Sequence, residues 1–101
     1  MTTGNRLIVA NAAVITALGE RGLLSMLDDV CRRHHVTREE VAGRTRTRSV
    51  SFARQDLWSR LRKQLGFSYA EIGRLFARNH TTVLHGVRAW ETQMLAVRHA
   101  A

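Results

Sequence analysis

The sequence predicts an all-α fold, a small helical bundle that contains a helix-turn-helix. Apolar residues recur with the roughly 3.6-residue period of amphipathic helices, and alternating β-branched runs bounded by turn residues do not occur. The 101 residues include no proline and suffice for one modest core. We therefore expect an apolar N-terminal helix and linker over residues 1–21 and a helical domain over residues 22–101.

Two helices are predicted in the first third of the chain. Leu7–Leu18 is apolar on several sides and ends at Gly19. Gly22–His35 has one buried stripe, formed by Leu23, Leu27, Val30 and His34. Two interpretations of the first helix stay open, since it can pack on its own domain or pair with itself or another protein.

Capping boxes mark the starts of two short helices. Thr37–Glu40 and Ser68–Glu71 each place a hydroxyl residue three positions before a glutamate. Between them, Arg44–Ser51 shows no periodic apolar face and is predicted to be a loop. A longer helix is expected over Phe52–Leu65, with a buried stripe of Leu57, Trp58, Leu61 and Leu65.

The helix-turn-helix is predicted near the end of the chain. Ala77-Arg78-Asn79 forms its turn, and Asn79 is suited to N-cap a last helix over His80–Val97. That helix buries Val83, Val87, Trp90 and Met94, which leaves Thr81, His85 and Arg88 on the opposite side.

The charge favours a polyanionic partner. Sixteen basic residues face eight acidic ones, for a net charge of +8, and Lys63 is the only lysine. Seven basic residues lie between Arg44 and Lys63, against Asp56 alone. A solvated surface in an arginine-rich protein is the alternative interpretation of the charge by itself.

A recognition helix enters the major groove near its N-terminus. There Asn79, His80, Thr81 and Thr82 offer the amide, imidazole and hydroxyl groups that read base edges. Asn79 can instead serve only as a helix cap. For His85 and Arg88, phosphate contact and plain solvation are equally open. The arginine arm of Arg44–Arg48 suits a narrow, A/T-rich minor groove.

Arg44–Trp90 resembles the C-terminal DNA-binding domain of the bacterial replication initiator DnaA. The resemblance rests on Arg48-Ser-Val, Arg54-Gln, Glu71-Ile-Gly and above all His80-Thr-Thr-Val-Leu-His, with weaker similarity back through Leu23–Val36. It implies a helical bundle that binds double-stranded DNA at short, A/T-rich initiator boxes and regulates replication initiation.

The resemblance also implies residue roles. Arg46, with Arg48 beside it, would enter the minor groove, and His80, Thr81 and Thr82 would face bases. Phosphate contacts are then expected from Arg44, Arg54, Arg62, Lys63, Arg78, His85 and Arg88. Arg62 and Lys63 compete for one such position, because a nearby connection is one residue shorter than in many members. Asn79 stands where the family usually has aspartate, which alters the expected readout, since Asn donates as well as accepts.

Other functions are not favoured by the sequence. No Gly-x-x-x-x-Gly-Lys-[Ser/Thr] loop occurs, so we do not expect ATP binding. No catalytic constellation occurs either, so we expect that the protein has no cofactor and is not an enzyme. Cys31, His34 and His35 lack a fourth ligand, so no metal is expected. The single cysteine fits a reducing compartment, so we expect a cytoplasmic, nucleoid-associated protein. The twelve mostly apolar residues of Leu7–Leu18 are too few to span a membrane. The alternatives are a small transcriptional regulator, or an interaction module that contacts the replication machinery through Leu7–Leu18.

Overall fold

The computed structural model describes the backbone of residues 3–100 and the side chains of residues 10–99. Within that range the chain forms six helices and no strand, so the predicted all-α fold is confirmed. The helices are α1 (Thr3–Glu20), α2 (Leu24–His34), α3 (Arg38–Ala42), α4 (Arg48–Gln64), α5 (Tyr69–Phe76) and α6 (His80–Ala100). The apolar side chains at positions 7 and 8 lie outside the described residues.

The chain divides into two compact units, one that ends at Ala53 and one that begins at Arg54, and the boundary falls within α4. In the first unit α1 packs on α2 and α3, and α2 packs on α3. Its buried side chains include Val14, Leu18, Leu23, Leu27, Val30 and Val41. The domain boundary expected after residue 21 stays a prediction.

The start of α3 is fixed locally and by one ion pair. Thr37 Oγ1 accepts from the Glu40 amide at 3.1 Å, and the Thr37 amide donates to Glu40 Oε1 at 2.9 Å. This confirms the first capping box. Arg38 then donates through Nε and Nη2 to both carboxylate oxygens of Asp28, each at 2.7 Å. The bidentate pair ties α3 to α2.

The predicted loop Arg44–Ser51 is wrong in its second half, because α4 begins at Arg48. The Ser51 amide donates to the Thr47 carbonyl at 2.9 Å, so the helical hydrogen-bond pattern begins before the predicted start at Phe52. Val50 is only 1% exposed and lies two helical turns before Leu57, on the same face as the predicted stripe. Because a lone valine among arginine and hydroxyl residues does not form a recognisable periodic pattern, the first turn of α4 could not be predicted from the sequence.

The other end of α4 also differs from the prediction. Leu65, predicted to be buried, is 46% exposed. The helix ends at Gln64, and Gly66 adopts a φ of +72° that only glycine accepts without strain. The Phe67 amide then donates a hydrogen bond to the Leu61 carbonyl, at 3.1 Å. Leu65 therefore lies in the turn and not on the buried stripe.

The second unit contains α5 and α6, which pack on each other. Ser68 Oγ and the Glu71 amide lie 3.0 Å apart, and the reciprocal contact is also 3.0 Å, which confirms the second capping box. The Trp58 ring stands edge-on to Phe76, with 5.7 Å between ring centroids and 81° between ring planes. A Cβ at Gly86 would lie 2.7 Å from the Trp58 ring, so α6 approaches α4 closely there.

The Asp28–Arg38 pair makes stability depend on pH. The Arg38 hydrogen bonds and charge hold the pKa of the Asp28 carboxyl below its ordinary value of 3.8. The pair therefore stabilises the fold above the unfolded-state pKa, and its contribution is lost as the pH falls through the lowered folded value.

We predict that Asp28→Asn flattens the acid limb of the stability profile. Between about pH 5 and pH 2 the wild-type free energy of unfolding should fall more steeply than that of the variant. Urea titrations at each pH measure this. Asp29→Asn is the matched control, because the Asp29–Arg32 pair is solvent-exposed and longer, with 3.7 Å between Arg32 Nη2 and Asp29 Oδ1. Equal slopes for wild type and Asp28→Asn would contradict the assigned pair.

Candidate nucleic-acid interface

The turn between α5 and α6 is set by backbone contacts. Ala77 takes the left-handed conformation, with φ 53°, and the Arg78 amide donates to the Gly73 carbonyl at 2.8 Å. A Cβ on Gly73 would lie 2.6 Å from the Arg78 carbonyl oxygen. The bare backbone of Gly73 therefore lets the turn fold tightly onto α5.

Asn79 caps the start of α6, as the sequence predicts. Its Oδ1 accepts from the Thr81 amide at 2.8 Å, and its backbone carbonyl accepts from the Val83 amide at 3.3 Å. The cap satisfies an amide that has no partner inside the helix and gives α6 a defined first turn.

The first turn of α6 presents its polar side chains to solvent. Asn79, His80, Thr81 and Thr82 are all exposed, whereas Val83 is fully buried. His80 Nε2 lies 3.5 Å from Thr81 Oγ1. We refer to these four exposed residues as the polar tip. Their exposure leaves them accessible to a ligand, and their role as base readers stays a prediction.

The face beyond the polar tip is also exposed. His85 and Arg88 follow Thr81 at helical spacing and are exposed, whereas Val87 behind them is buried. Arg78, in the turn, is half-buried. The structure thus places Thr81 on one helix face with two of the predicted phosphate contacts, while Asn79, His80 and Thr82 are exposed around the same first turn.

The arginine arm is shorter than the sequence suggests. Arg44 and Arg46 are exposed in the non-helical residues 44–47. Arg48 is exposed too, but it is the first residue of α4 and not part of a loop. Its backbone is therefore part of the helix, and the non-helical part of the arm ends at Thr47.

Arg54 differs from the other predicted phosphate contacts. It is 6% exposed and lies in the interior. A buried guanidinium has no room for a phosphate unless it moves, so its burial does not favour the predicted contact. The nearby Asp56 is also buried, and its carboxylate oxygen Oδ1 accepts from Arg60 Nε at 3.0 Å.

Arg62 and Lys63 have different surroundings. Arg62 lies over the ring of Tyr69, 4.7 Å from its centroid, and donates to the Phe67 carbonyl at 3.3 Å. Lys63 Nζ lies 3.4 Å from a Glu91 carboxylate oxygen. The Arg62 charge is thus held beside the first residue of α5, whereas the Lys63 charge is balanced.

Arg74 is a cationic residue that the sequence interpretation left out. It is exposed on α5, away from the buried Ile72 and Phe76. The first helix of a helix-turn-helix crosses the DNA backbone, so an exposed arginine there is a candidate phosphate contact. Its position outside the buried stripe of α5 could have indicated from the sequence that its side chain is exposed.

Neither a metal cluster nor a membrane span is found among the residues that the structure describes. No group of three or more His, Cys, Asp or Glu side chains in residues 10–99 is placed to share an ion. Burial raises the pKa of the Cys31 thiol, which disfavours the thiolate that a metal would need. No described helix combines the length and apolar character that crossing a bilayer requires.

A short helix, a tight turn and a second helix with an exposed polar start define this chain as a helix-turn-helix protein. The sequence model of a protein family, the bacterial DnaA protein helix-turn-helix, matches residues 25–89. The chain belongs to this DnaA helix-turn-helix family. No solved structure matches it significantly.

The similar proteins are much longer than this chain. Over 70 residues it is 44% identical to the chromosomal replication initiator protein DnaA of Thermomicrobium roseum, an alignment that covers 68% of this chain and 15% of that protein. Over 71 residues it is 31% identical to DnaA 1 of Chlamydia pneumoniae, covering 70% and 15% respectively. The chain thus spans about 15% of the length of these relatives.

We predict that Gly73→Ala destabilises the protein. Helix propensity alone would make this change favourable by up to about 1 kcal/mol. The clash with the Arg78 carbonyl should reverse the sign, at a cost of about 1–3 kcal/mol. Urea unfolding measures the free energy directly.

Gly19→Ala is the matched control for this prediction. A Cβ at Gly19 meets only the Leu24 side chain, at an ordinary 3.4 Å. This variant should be neutral or slightly more stable. A Gly73→Ala protein as stable as Gly19→Ala would contradict the tight crossing.

Proposed function

We propose that this chain binds double-stranded DNA sequence-specifically at initiator-box-like sites and thereby regulates the initiation of DNA replication. The first turn of α6 would enter the major groove, and the arginine arm would enter the minor groove. The observation that carries the proposal is the exposed polar tip, built on a helix whose start is fixed by the Gly73–Arg78 contact.

The polar tip supports direct base readout. Its side chains are short, so the helix can approach base edges closely, and its groups include donors, acceptors and threonine methyls. Thr81 has the strongest support, because its amide is already capped while its side chain is exposed. His80 and Thr82 flank it and offer neighbouring contacts.

The arginine arm supports a second contact. Arg46 is exposed in a short non-helical segment, which suits insertion into a narrow minor groove. Arg48 starts from the first turn of α4 and has less freedom to extend. We therefore place Arg46 in the groove and Arg48 at its edge.

Phosphate anchoring would come from the exposed arginines of the second unit. Arg62 is held beside Tyr69, and Arg74 is exposed on α5. Both lie on or beside the first helix of the helix-turn-helix, the element that crosses the DNA backbone. Arg88 extends the same chemistry along α6, whereas Lys63 is the weaker candidate because Glu91 balances its charge.

The regulatory role rests on the family and on occupancy of DNA. The relatives are named replication initiators, and this chain shares the part of them that contains the helix-turn-helix. Occupying initiator-box-like sites on the bacterial nucleoid would be sufficient to influence initiation, and it requires no catalysis by the chain.

We predict that Thr81→Ala weakens binding to an initiator-box duplex by about 1–3 kcal/mol and relaxes discrimination at one base position. Fluorescence anisotropy with the box and a scrambled duplex, at several salt concentrations, measures both. Thr92→Ala is the control, since Thr92 is an exposed threonine further along α6. Equal wild-type affinity for both duplexes would sink the sequence-specific proposal.

We predict that Arg62→Gln lowers the salt dependence of DNA binding more than Lys63→Gln. Each neutralised phosphate contributes about 0.9 to the slope of log affinity against log salt. The Arg62 variant should therefore lose close to one such contribution, and the Lys63 variant much less. Both changes remove one positive charge, so they are matched controls for one another. A larger loss with Lys63→Gln would reverse the assignment.

A further inference from the structure

The orientation of the Asn79 carboxamide is fixed by the cap. Its Oδ1 accepts from the Thr81 amide at 2.8 Å. Of the two polar atoms of a carboxamide only the oxygen accepts hydrogen bonds, so exchanging them would place two donors against each other. The cap therefore determines which edge of the side chain faces the helix.

The amino edge of Asn79 remains for a ligand. Nδ2 is bonded to the same carbon as Oδ1 and lies on the other edge of the group, turned away from the capped amide. Over residues 10–99 no acceptor bonds to it, and the side chain is exposed. The first position of the polar tip thus presents a hydrogen-bond donor to its surroundings.

We propose that Asn79 selects a keto base, guanine or thymine, at the position it faces in the major groove. This inference rests on the proposed function and specifies its base preference. Guanine offers the O6 and N7 acceptors and thymine offers O4, each of which can accept from Nδ2. Cytosine presents only its N4 amino group there, which would oppose a donor with a donor.

Adenine is disfavoured for a different reason. Its usual partner is a bidentate asparagine or glutamine, which donates to N7 and accepts from the N6 amino group. In Asn79 one lone pair of the accepting oxygen is engaged with the Thr81 amide, and the cap fixes the orientation of the carboxamide, so the group is not free to turn and align both of its polar atoms with adenine. Adenine would therefore gain a single donor contact and leave its own amino group without the second partner.

The variant Asn79→Asp separates readout from capping. Aspartate caps a helix about as well as asparagine, and it has almost the same shape. An ionised carboxylate has acceptors only, so its exposed edge should favour an amino base, cytosine or adenine. The added negative charge weakens binding to all duplexes alike, so it does not alter the ratio between them.

The experiment is selection of a randomised duplex library by the full chain, with wild type and Asn79→Asp in parallel. We expect both to enrich one motif that differs at a single position, where guanine or thymine is replaced by cytosine or adenine on the same strand. The other positions of the motif orient the strands. The affinity ratio for the two duplexes should invert, each preference being about 5- to 150-fold.

The outcomes separate this inference from the proposed function. The same base at that position with both proteins overturns the inference and leaves sequence-specific binding intact. No enriched motif with either protein overturns both. Should the Asp variant fail to fold, Asn79→Ser retains a capping hydroxyl but reaches less far. It should lose preference at that one position, and retained preference would overturn the inference.

Discussion

The helix-turn-helix depends on one backbone crossing, between Gly73 in α5 and Arg78 in the turn. The Arg78 amide donates to the Gly73 carbonyl, while the Arg78 carbonyl lies where a side chain on residue 73 would be. Because backbone atoms make the contact, its geometry does not vary with side-chain rotamers. It fixes where the chain leaves α5 and hence where α6 begins, and Asn79 caps α6 at that point.

A fixed start to α6 is what the proposed base recognition by the polar tip requires. Base readout needs donors and acceptors held to within a fraction of an ångström, which a rigid helix provides better than a loop. Behind the tip, Val83 and Val87 are fully buried, and Gly86 admits the Trp58 ring against the helix. Polar groups at the surface are therefore supported by tight apolar packing beneath them.

Local chemistry was predictable from the sequence, and tertiary effects were not. Capping boxes and the Asn79 cap depend on residues within three positions of each other, so their patterns suffice. The ends of α4 depend on burial of Val50 and on the turn at Gly66, which no local pattern reveals. The Lys63–Glu91 pair joins residues far apart in the chain, so the sequence could not separate Lys63 from its neighbour Arg62.

The central claim is that the first turn of α6 meets DNA. Amide chemical shifts, recorded while an initiator-box duplex is titrated into the full chain, test it most directly. We expect the largest changes at Asn79–Thr82 and Arg44–Arg48, with the amides of residues 92–98 almost unmoved. Changes concentrated in α2 or in the last turns of α6, with Asn79–Thr82 unaffected, would contradict the account.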